Sequence, residues 1–242
     1  MNSQRPCLIT GASGNLGEAI ARKLVAVGRA VALTHSPKGR PLEGLESSEQ
    51  VRWYGLDVRD AHNVGEVVAQ IRRDFGAVPD LVYSAGITCD RSIVRMSTED
   101  WASVIETNLS GAHHVARALA QDLMAAGDGR VVFIGSVAAS KGTPGQSNYA
   151  AAKAGIEGLT RELAVELGRH QVTVNTVSPG LIESRMIETI PKEQFRRVLK
   201  SIPLRSMGKP SDVAEIVSFL LSAAARYITG QIIQVDGGLT AM

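Results

Sequence analysis

Short apolar runs alternate with longer amphipathic stretches along the whole chain. Cys7–Thr10, Ala30–Thr34, Val51–Leu56, Leu81–Tyr83, Val131–Ile134, Val172–Val177 and Gln231–Val235 read as strands. Their near-continuous apolar character is that of parallel strands buried on both faces. Between them lie stretches of helical composition. Leu16–Val27 is closed by Gly28, and a second helix, capped by Asp60 or Asn63, ends near Phe75. A long helix runs from Thr98 to about Ala126 and bends near Asn108–Gly111. Ser147–Leu167 follows, then Ser211–Leu221 with Ser211-Asp212 near its cap. Strand–helix alternation with short connections predicts an α/β fold, a doubly wound parallel sheet with helices on both faces and right-handed crossovers. No repeat, low-complexity tract or linker interrupts the pattern, so the whole of 1–242 reads as one domain. The least regular piece, 183–206, follows the sixth strand. Ligands bind beyond the carboxyl ends of such strands, which makes this piece a candidate substrate lid. The plainer reading is a surface excursion.

Composition narrows the function classes. Of 242 residues, 44% are hydrophobic and 21% charged, and the net charge of +2 gives no reason to expect a nucleic-acid or polyanion partner. No apolar run approaches the roughly 20 residues that span a bilayer. The polar stretch Met1–Arg5 does not resemble a signal peptide, and Cys7 and Cys89 do not make a disulfide scaffold. These features fit a reducing, cytoplasmic setting. The five histidines have no metal-ligand spacing, so no metal is expected.

The chemistry concentrates between Gly135 and Lys153. Ser136 follows a strand directly, and Tyr149 and Lys153 are four apart and share a helix face. A phenol ordinarily titrates near pH ~10, and a nearby ammonium lowers that value. A serine hydroxyl can hold a carbonyl oxygen. These are the parts of a proton donor to a ketone. An ordinary surface Tyr–Lys pair has the same spacing, so the reading depends on the rest of the chain.

The rest supplies a nucleotide site. Thr10-Gly11-Ala12-Ser13-Gly14-Asn15-Leu16-Gly17 joins the first strand to the first helix, the context a dinucleotide fold requires. Gly11 permits the tight turn and Gly17 close helix–sheet packing, while free N–H groups at the helix start favour a pyrophosphate. Gly11, Ser13, Gly14, Asn15, Leu16 and Gly17 are therefore cofactor-binding candidates. The second strand ends at His35-Ser36 without a carboxylate, and Lys38 and Arg40 follow. An acidic residue there would take the ribose hydroxyls of NAD; its absence favours NADPH. Solvated loop charges are the bland alternative for Lys38 and Arg40. Asp57-Val58 ends the third strand, where a carboxylate can meet an adenine amino group. Ser84-Ala85-Gly86 ends the fourth, where small residues admit a ligand's close approach.

Taken with Ala85–Thr88, Ile105–Leu109, Ile134–Val137, Asn148–Gly155, Val172–Gly180 and Tyr227–Gly238, these stretches make the chain resemble the classical short-chain dehydrogenase/reductases. The closest likeness is to 3-oxoacyl-(acyl-carrier-protein) reductases. The resemblance implies a Rossmann-type sheet and a catalytic tetrad of Asn108, Ser136, Tyr149 and Lys153. Tyr149 would donate the proton and Ser136 hold the ketone oxygen. Lys153 would lower the Tyr149 pKa and bind the nicotinamide ribose, and Asn108 would hold a relaying water. The nicotinamide would lie near Pro179, Gly180 and Ile182. The resemblance further implies NADPH, a 3-oxoacyl thioester on an acyl carrier protein in fatty-acid or polyketide-type synthesis, and a homotetramer. Its interfaces would use the helices of Asn108 and Tyr149 and the C-terminal strand.

Three departures stand out. Gly14 and Asn15 replace the usual basic residue and glycine. Tyr83-Ser84 replace two asparagines. The family's docking arginines fall on Gly127 and His170, with Arg130 and Arg169 close by. A reductase or dehydrogenase of an acyl-CoA, a sugar or another small carbonyl or alcohol remains an alternative. A binding-only scaffold is a remote one, which the complete tetrad argues against.

Overall fold

Side chains on a strand alternate between its two faces, and here each face meets a helical layer. In the computed structural model, which describes residues 5–184 and 198–241, the elements follow in this order. They are β1 (Cys7–Thr10), α1 (Asn15–Ala26), β2 (Val31–His35), β3 (Val51–Gly55), α2 (Ala61–Phe75), β4 (Asp80–Tyr83) and α3 (Thr98–Ile105). Then come α4 (Gly111–Ala125), β5 (Arg130–Ile134), α5 (Ser147–Gly168), β6 (Thr173–Pro179), α6 (Pro210–Leu220) and β7 (Ile232–Val235). Residues 185–197 of the expected lid lie outside the described residues.

The sheet has seven strands in the order β3-β2-β1-β4-β5-β6-β7, all parallel. Leu8, Leu81, Val131 and Phe133 pack with α2, α4 and α5. Their neighbours Ile9, Val82, Val132 and Ile134 pack with α1 and α6 on the other face. Each such fully buried side chain contributes about 1.5–3 kcal/mol of transfer free energy, so the alternation fixes which way every strand faces. Strand order reverses between β1 and β4, and a crevice at the carboxyl ends of these strands follows from that switch.

Local chemistry sets the helix ends. Asp60 caps α2, accepting from His62 and Asn63 N–H at 2.8 and 3.2 Å. Asn63 instead accepts from Asp57 N at 3.0 Å and holds the exit of β3. At α6 the expected cap shifts. Pro210 occupies the first turn, Lys209 is the cap, and Asp212 accepts from Lys209 N at 2.7 Å. Proline's fixed φ and missing N–H suit that position.

The predicted long helix is broken rather than bent. α3 ends at Ile105, and Glu106–Ser110 form one π turn before α4. Val104, Asn108 and Ala112 are all fully buried, at intervals of four. In a regular α-helix each such step overshoots a turn by about 40°, and the wider π turn takes up the drift. The turn is held from below. Tyr83 Oη donates to Thr107 O at 2.5 Å, and a Cβ on Gly111 would come within 2.5 Å of that same hydroxyl.

Candidate active site

β5 delivers Ser136 and α5 delivers Tyr149 and Lys153 to one place. Ser136 is extended, at φ −168° and ψ 149°, and starts a single 3-10 turn. Its Oγ accepts from Ala138 N at 3.1 Å, so its O–H is left to donate. It faces the Tyr149 phenol and pulls that pKa down, but burial outweighs it and pushes the phenol above its ordinary value, aided by the negative charge of Asp90. Lys153 is buried, with Nζ 5.6 Å from the centroid of the Tyr149 ring and donating to Ile134 O at 2.8 Å. Burial lowers its pKa to about 8. The net direction for Tyr149 is thus upward, because burial outweighs the groups that lower it. The ammonium lies by the ring and is bound to a backbone carbonyl, and desolvation dominates the phenol.

Asn108, buried on the π turn, bonds Ile87 twice: its Nδ2 donates to Ile87 O at 2.9 Å and its Oδ1 accepts from Ile87 N at 2.8 Å. This clamp aligns the chain leaving β4. A Cβ on Gly86 would stand 3.3 Å from Asn108 Oδ1 and 3.7 Å from Lys153 Nζ, so Gly86, Asn108 and Lys153 converge. The two bonds to Ile87 use one N–H and one lone pair of the amide, which leaves its second N–H and second lone pair free.

The nucleotide candidates line the switch-point crevice. Thr10 Oγ1 accepts from Ser84 N and Ala85 N, each at 3.2 Å, and ties β1 to β4. Gly11 has φ +62°, and a Cβ there would lie 2.7 Å from Ala85 Cα. Gly17 packs as closely, its notional Cβ 2.3 Å from Gly11 O. α1 begins after Gly14 with no side-chain cap, so the N–H groups of Asn15, Leu16 and Gly17 in its first turn have no helical acceptor. Ser13 is exposed beside them. This is a cradle for an anionic bridge, and the residues present fit a dinucleotide. His35 stacks on Trp53 with centroids 6.1 Å apart, and Ser36, Lys38 and Arg40 are exposed beyond it. Val58 is buried, and its carbonyl meets His114 Nδ1 at 3.1 Å. On the far side of the crevice Pro179 pairs with Val235. Gly180 N donates to Val235 O at 3.0 Å, and Ile182 bridges to Gly208.

Comparison with known proteins places the chain in a family. A family model described as enoyl-(acyl carrier protein) reductase, one of the short-chain dehydrogenase/reductase models, matches residues 11–240. The chain belongs to the short-chain dehydrogenase/reductase family. It is an oxidoreductase of ketones and alcohols. It is 39% identical over 233 residues to 3-oxoacyl-(acyl-carrier-protein) reductase FabG of Haemophilus influenzae, covering 96% of each chain. It is 41% identical over 237 residues to nodulation protein G of Rhizobium sp., covering 97% of this chain and 96% of the relative. Reductase MabA of Mycobacterium tuberculosis is 40% identical over 235 residues, 97% of this chain and 92% of that one.

Within this reductase fold the departures acquire positions. Asn15 turns its side chain out of the phosphate turn, and its Nδ2 donates to Glu183 O at 2.7 Å, at the start of the expected lid. Asp57 is held below the usual carboxylate range by Arg59, whose Nε and Nη2 reach it at 2.9 and 2.7 Å. Sequence reasoning missed that pair because two charges two apart read as solvated. Tyr83 was singled out only as a departure. The glycine at 111, needed for its hydroxyl, was the available signal.

The expected docking arginines are corrected. Arg130 is only 5% exposed, and its Nη1 donates to the carbonyls of Asp128, Gly129 and Gln171. It joins a buried group at the amino ends of the strands, where Asp80 accepts from Arg5 and Arg29. Arg169 is exposed but follows α5 at the end remote from Tyr149, about 30 Å along the helix at 1.5 Å per residue.

Proposed function

We propose that the protein reduces the 3-oxo group of an acyl thioester carried on an acyl carrier protein, with NADPH as reductant. The observation that carries the reading is the pair Ser136 and Tyr149, two hydroxyls converging at the end of β5 with the phenol kept protonated by burial. When bound, NADPH supplies the hydride. Ser136 donates a hydrogen bond to the substrate carbonyl oxygen. Tyr149 gives its proton to that oxygen as negative charge develops there. Lys153 stabilises the phenolate left behind, since an opposite charge nearby favours the charged form. Asn108 fixes Ile87 and Gly86 against Lys153. Gly11–Gly17 and the start of α1 hold the pyrophosphate, Asp57, Val58 and Ser84–Gly86 the adenosine side, and Pro179, Gly180 and Ile182 the nicotinamide. Ser36, Lys38 and Arg40 face the 2′-phosphate, and no carboxylate at the end of β2 repels it.

The curated relatives named as 3-oxoacyl-carrier reductases support the substrate class. The matching family model carries an enoyl reductase description, and two hydroxyls aimed at one oxygen favour a carbonyl over a carbon–carbon double bond. The proposal includes a homotetramer in the cytoplasm. Val165, Phe219 and Tyr227 are 80%, 42% and 95% exposed on or beside α5, α6 and β7, as apolar contact faces between copies would be. Cys7 and Cys89 are free thiols. The test is NADPH oxidation with 3-oxoacyl- and 2-enoyl-carrier substrates. The 3-oxo substrate is expected to turn over, and Tyr149→Phe to lose about 10²–10⁴-fold in kcat while NADPH still binds by fluorescence. Turnover of the enoyl substrate alone would overturn the reading.

A further inference from the structure

The segment between β4 and α3 crosses the mouth of the site, and it is pinned at many points. Asn108 clamps Ile87. Asn148 Nδ2 donates to Cys89 O at 3.0 Å, and Gln146 Nε2 to Asp90 Oδ2 at 2.9 Å. Arg91 N donates to Gly145 O at 2.8 Å, four residues before Tyr149. Ser147 Oγ meets Met96 Sδ at 3.4 Å, and the Ser97–Asp100 capping box ends the segment. Between the anchors at Arg91 and Met96 the chain makes one tight turn, with Arg95 N and Met96 N both donating to Ser92 O.

That turn does not bury its apolar side chains. Ile93 is 75% and Val94 87% exposed. Arg91 and Arg95 flank them, both exposed, and among the described residues Arg91 reaches a carboxylate only at Asp100 Oδ2, 3.9 Å away. A well-anchored turn that presents two aliphatic side chains between two guanidinium groups has the make-up of a protein contact: an apolar centre with a charged rim.

We propose that Arg91–Arg95 is the docking surface for the acyl carrier protein. The inference rests on the reading that the substrate is carrier-bound, and it replaces Arg130 and Arg169 with charges that stand at the mouth. A carrier presents its acyl group on a phosphopantetheine arm, whose phosphodiester is an anion at neutral pH. Guanidinium groups are suited to phosphate oxygens. With the phosphate on Arg91 and Arg95, the arm starts beside Gly145, at the entrance to Tyr149. Ile93 and Val94 take the apolar contact with the carrier around the attachment point. This occupant is preferred to a second copy of the chain, because the patch lies at the site mouth. The apolar residues Val165, Phe219 and Tyr227 lie instead on or beside α5, α6 and β7.

The experiment compares two variants, Arg91→Glu/Arg95→Glu and Ile93→Ser/Val94→Ser, with the unmodified enzyme on two substrates. One is an acetoacetyl group on phosphopantetheinylated carrier protein, and the other is ethyl acetoacetate, which has neither arm nor phosphate. Charge reversal is expected to lower kcat/KM for the carrier substrate by about tenfold or more at low ionic strength, shrinking as salt screens the rim. The serine variant is expected to raise KM for the carrier substrate with little salt dependence. Both variants should match the unmodified enzyme on ethyl acetoacetate. Equal loss on both substrates would mean that the turn shapes the catalytic site instead, and unchanged carrier kinetics would place docking elsewhere. A changed sedimentation coefficient would mean that a second copy covers the patch. Each of these three results overturns the docking surface alone. An unmodified enzyme that reduces ethyl acetoacetate but not the carrier substrate would overturn the carrier reading and this inference with it.

Discussion

Removing one oxygen atom, in Tyr83→Phe, tests whether the π turn is held by the bond beneath it. The ring should stay in place, because Tyr83 is 1% exposed and packs edge-on against Phe133 at 6.4 Å between centroids. What goes is the 2.5 Å bond to Thr107 O. The net worth of such a bond is about 0.5–1.5 kcal/mol, and a carbonyl left without its donor costs about 1–3 kcal/mol. A stability loss of about 1–3 kcal/mol is therefore expected by urea denaturation, with an unchanged slope. The turn cannot simply convert to regular helix. Losing one inserted residue would rotate α3 against α4 by about 100° and take Val104 or Asn108 off its buried face. The turn should loosen instead, and Asn108 with it.

The clamp on Ile87 then weakens, and Gly86 is no longer held against Lys153. The expected signature is a fall in kcat larger than any rise in KM for NADPH, because Thr10 still ties Ser84 and Ala85 to β1 beside the phosphate turn. A destabilised enzyme whose folded fraction is still near one would keep its kcat if Tyr83 served stability alone. Wild-type stability and wild-type kcat together would refute the account of the turn, and lost stability with wild-type kcat would refute its link to Asn108.

Two further outcomes follow from the site. Burial puts Lys153 at about pH 8, so kcat/KM for NADPH, which reports the free enzyme, should fall as pH rises through about 8, and a falling limb first seen near the ordinary phenol value of ~10 would contradict that. The same shift means that the unfolded chain holds a proton the folded one has released, so the Lys153 contribution to folding improves as pH climbs from about 8 towards the unfolded value of ~10.4, and should be absent in Lys153→Met. Ser36→Asp should move the ratio of kcat/KM from NADPH towards NADH, since a carboxylate at the end of β2 repels a 2′-phosphate; an unmoved ratio would take Ser36 off the cofactor.

Much of this was legible because its signals are local. Val131–Ile134 announces a strand, so Ser136 had to stand at its end, and Tyr149 and Lys153 share a helix face by spacing alone. The glycine turn was equally plain, because its position between strand and helix needs no tertiary information. The π turn was not. A run of buried positions four apart looks like an ordinary helix with a kink, and only the tertiary partner of each position distinguishes a wider turn from a bend. The pKa of Tyr149 escaped for a similar reason. Spacing brings Lys153 near the ring, but Ile134 O takes the ammonium and burial sets the phenol, and neither is written in Tyr-x-x-x-Lys.

The arginines show the limit most sharply, and the reason is strand polarity. Arg130 and Ser136 are six residues apart, close enough in sequence to suggest one neighbourhood. An extended chain covers about 3.3 Å per residue, so β5 carries them to opposite ends of the sheet, about 20 Å apart. At the amino end, charges meet one another: Arg5 and Arg29 on Asp80, and Arg130 on backbone carbonyls. A buried carboxylate stripped of such partners would be strongly destabilising, so these arginines are committed to the fold. Beyond the carboxyl end of β4, among the described residues, Arg91 has only Asp100 Oδ2 at 3.9 Å, whereas Arg130 is the first residue of β5. The direction of the strand thus sorts these like charges into structural and available ones. In this sheet the arginines at the amino ends are committed to the fold, and Arg91, beyond a carboxyl end, is left to meet a partner.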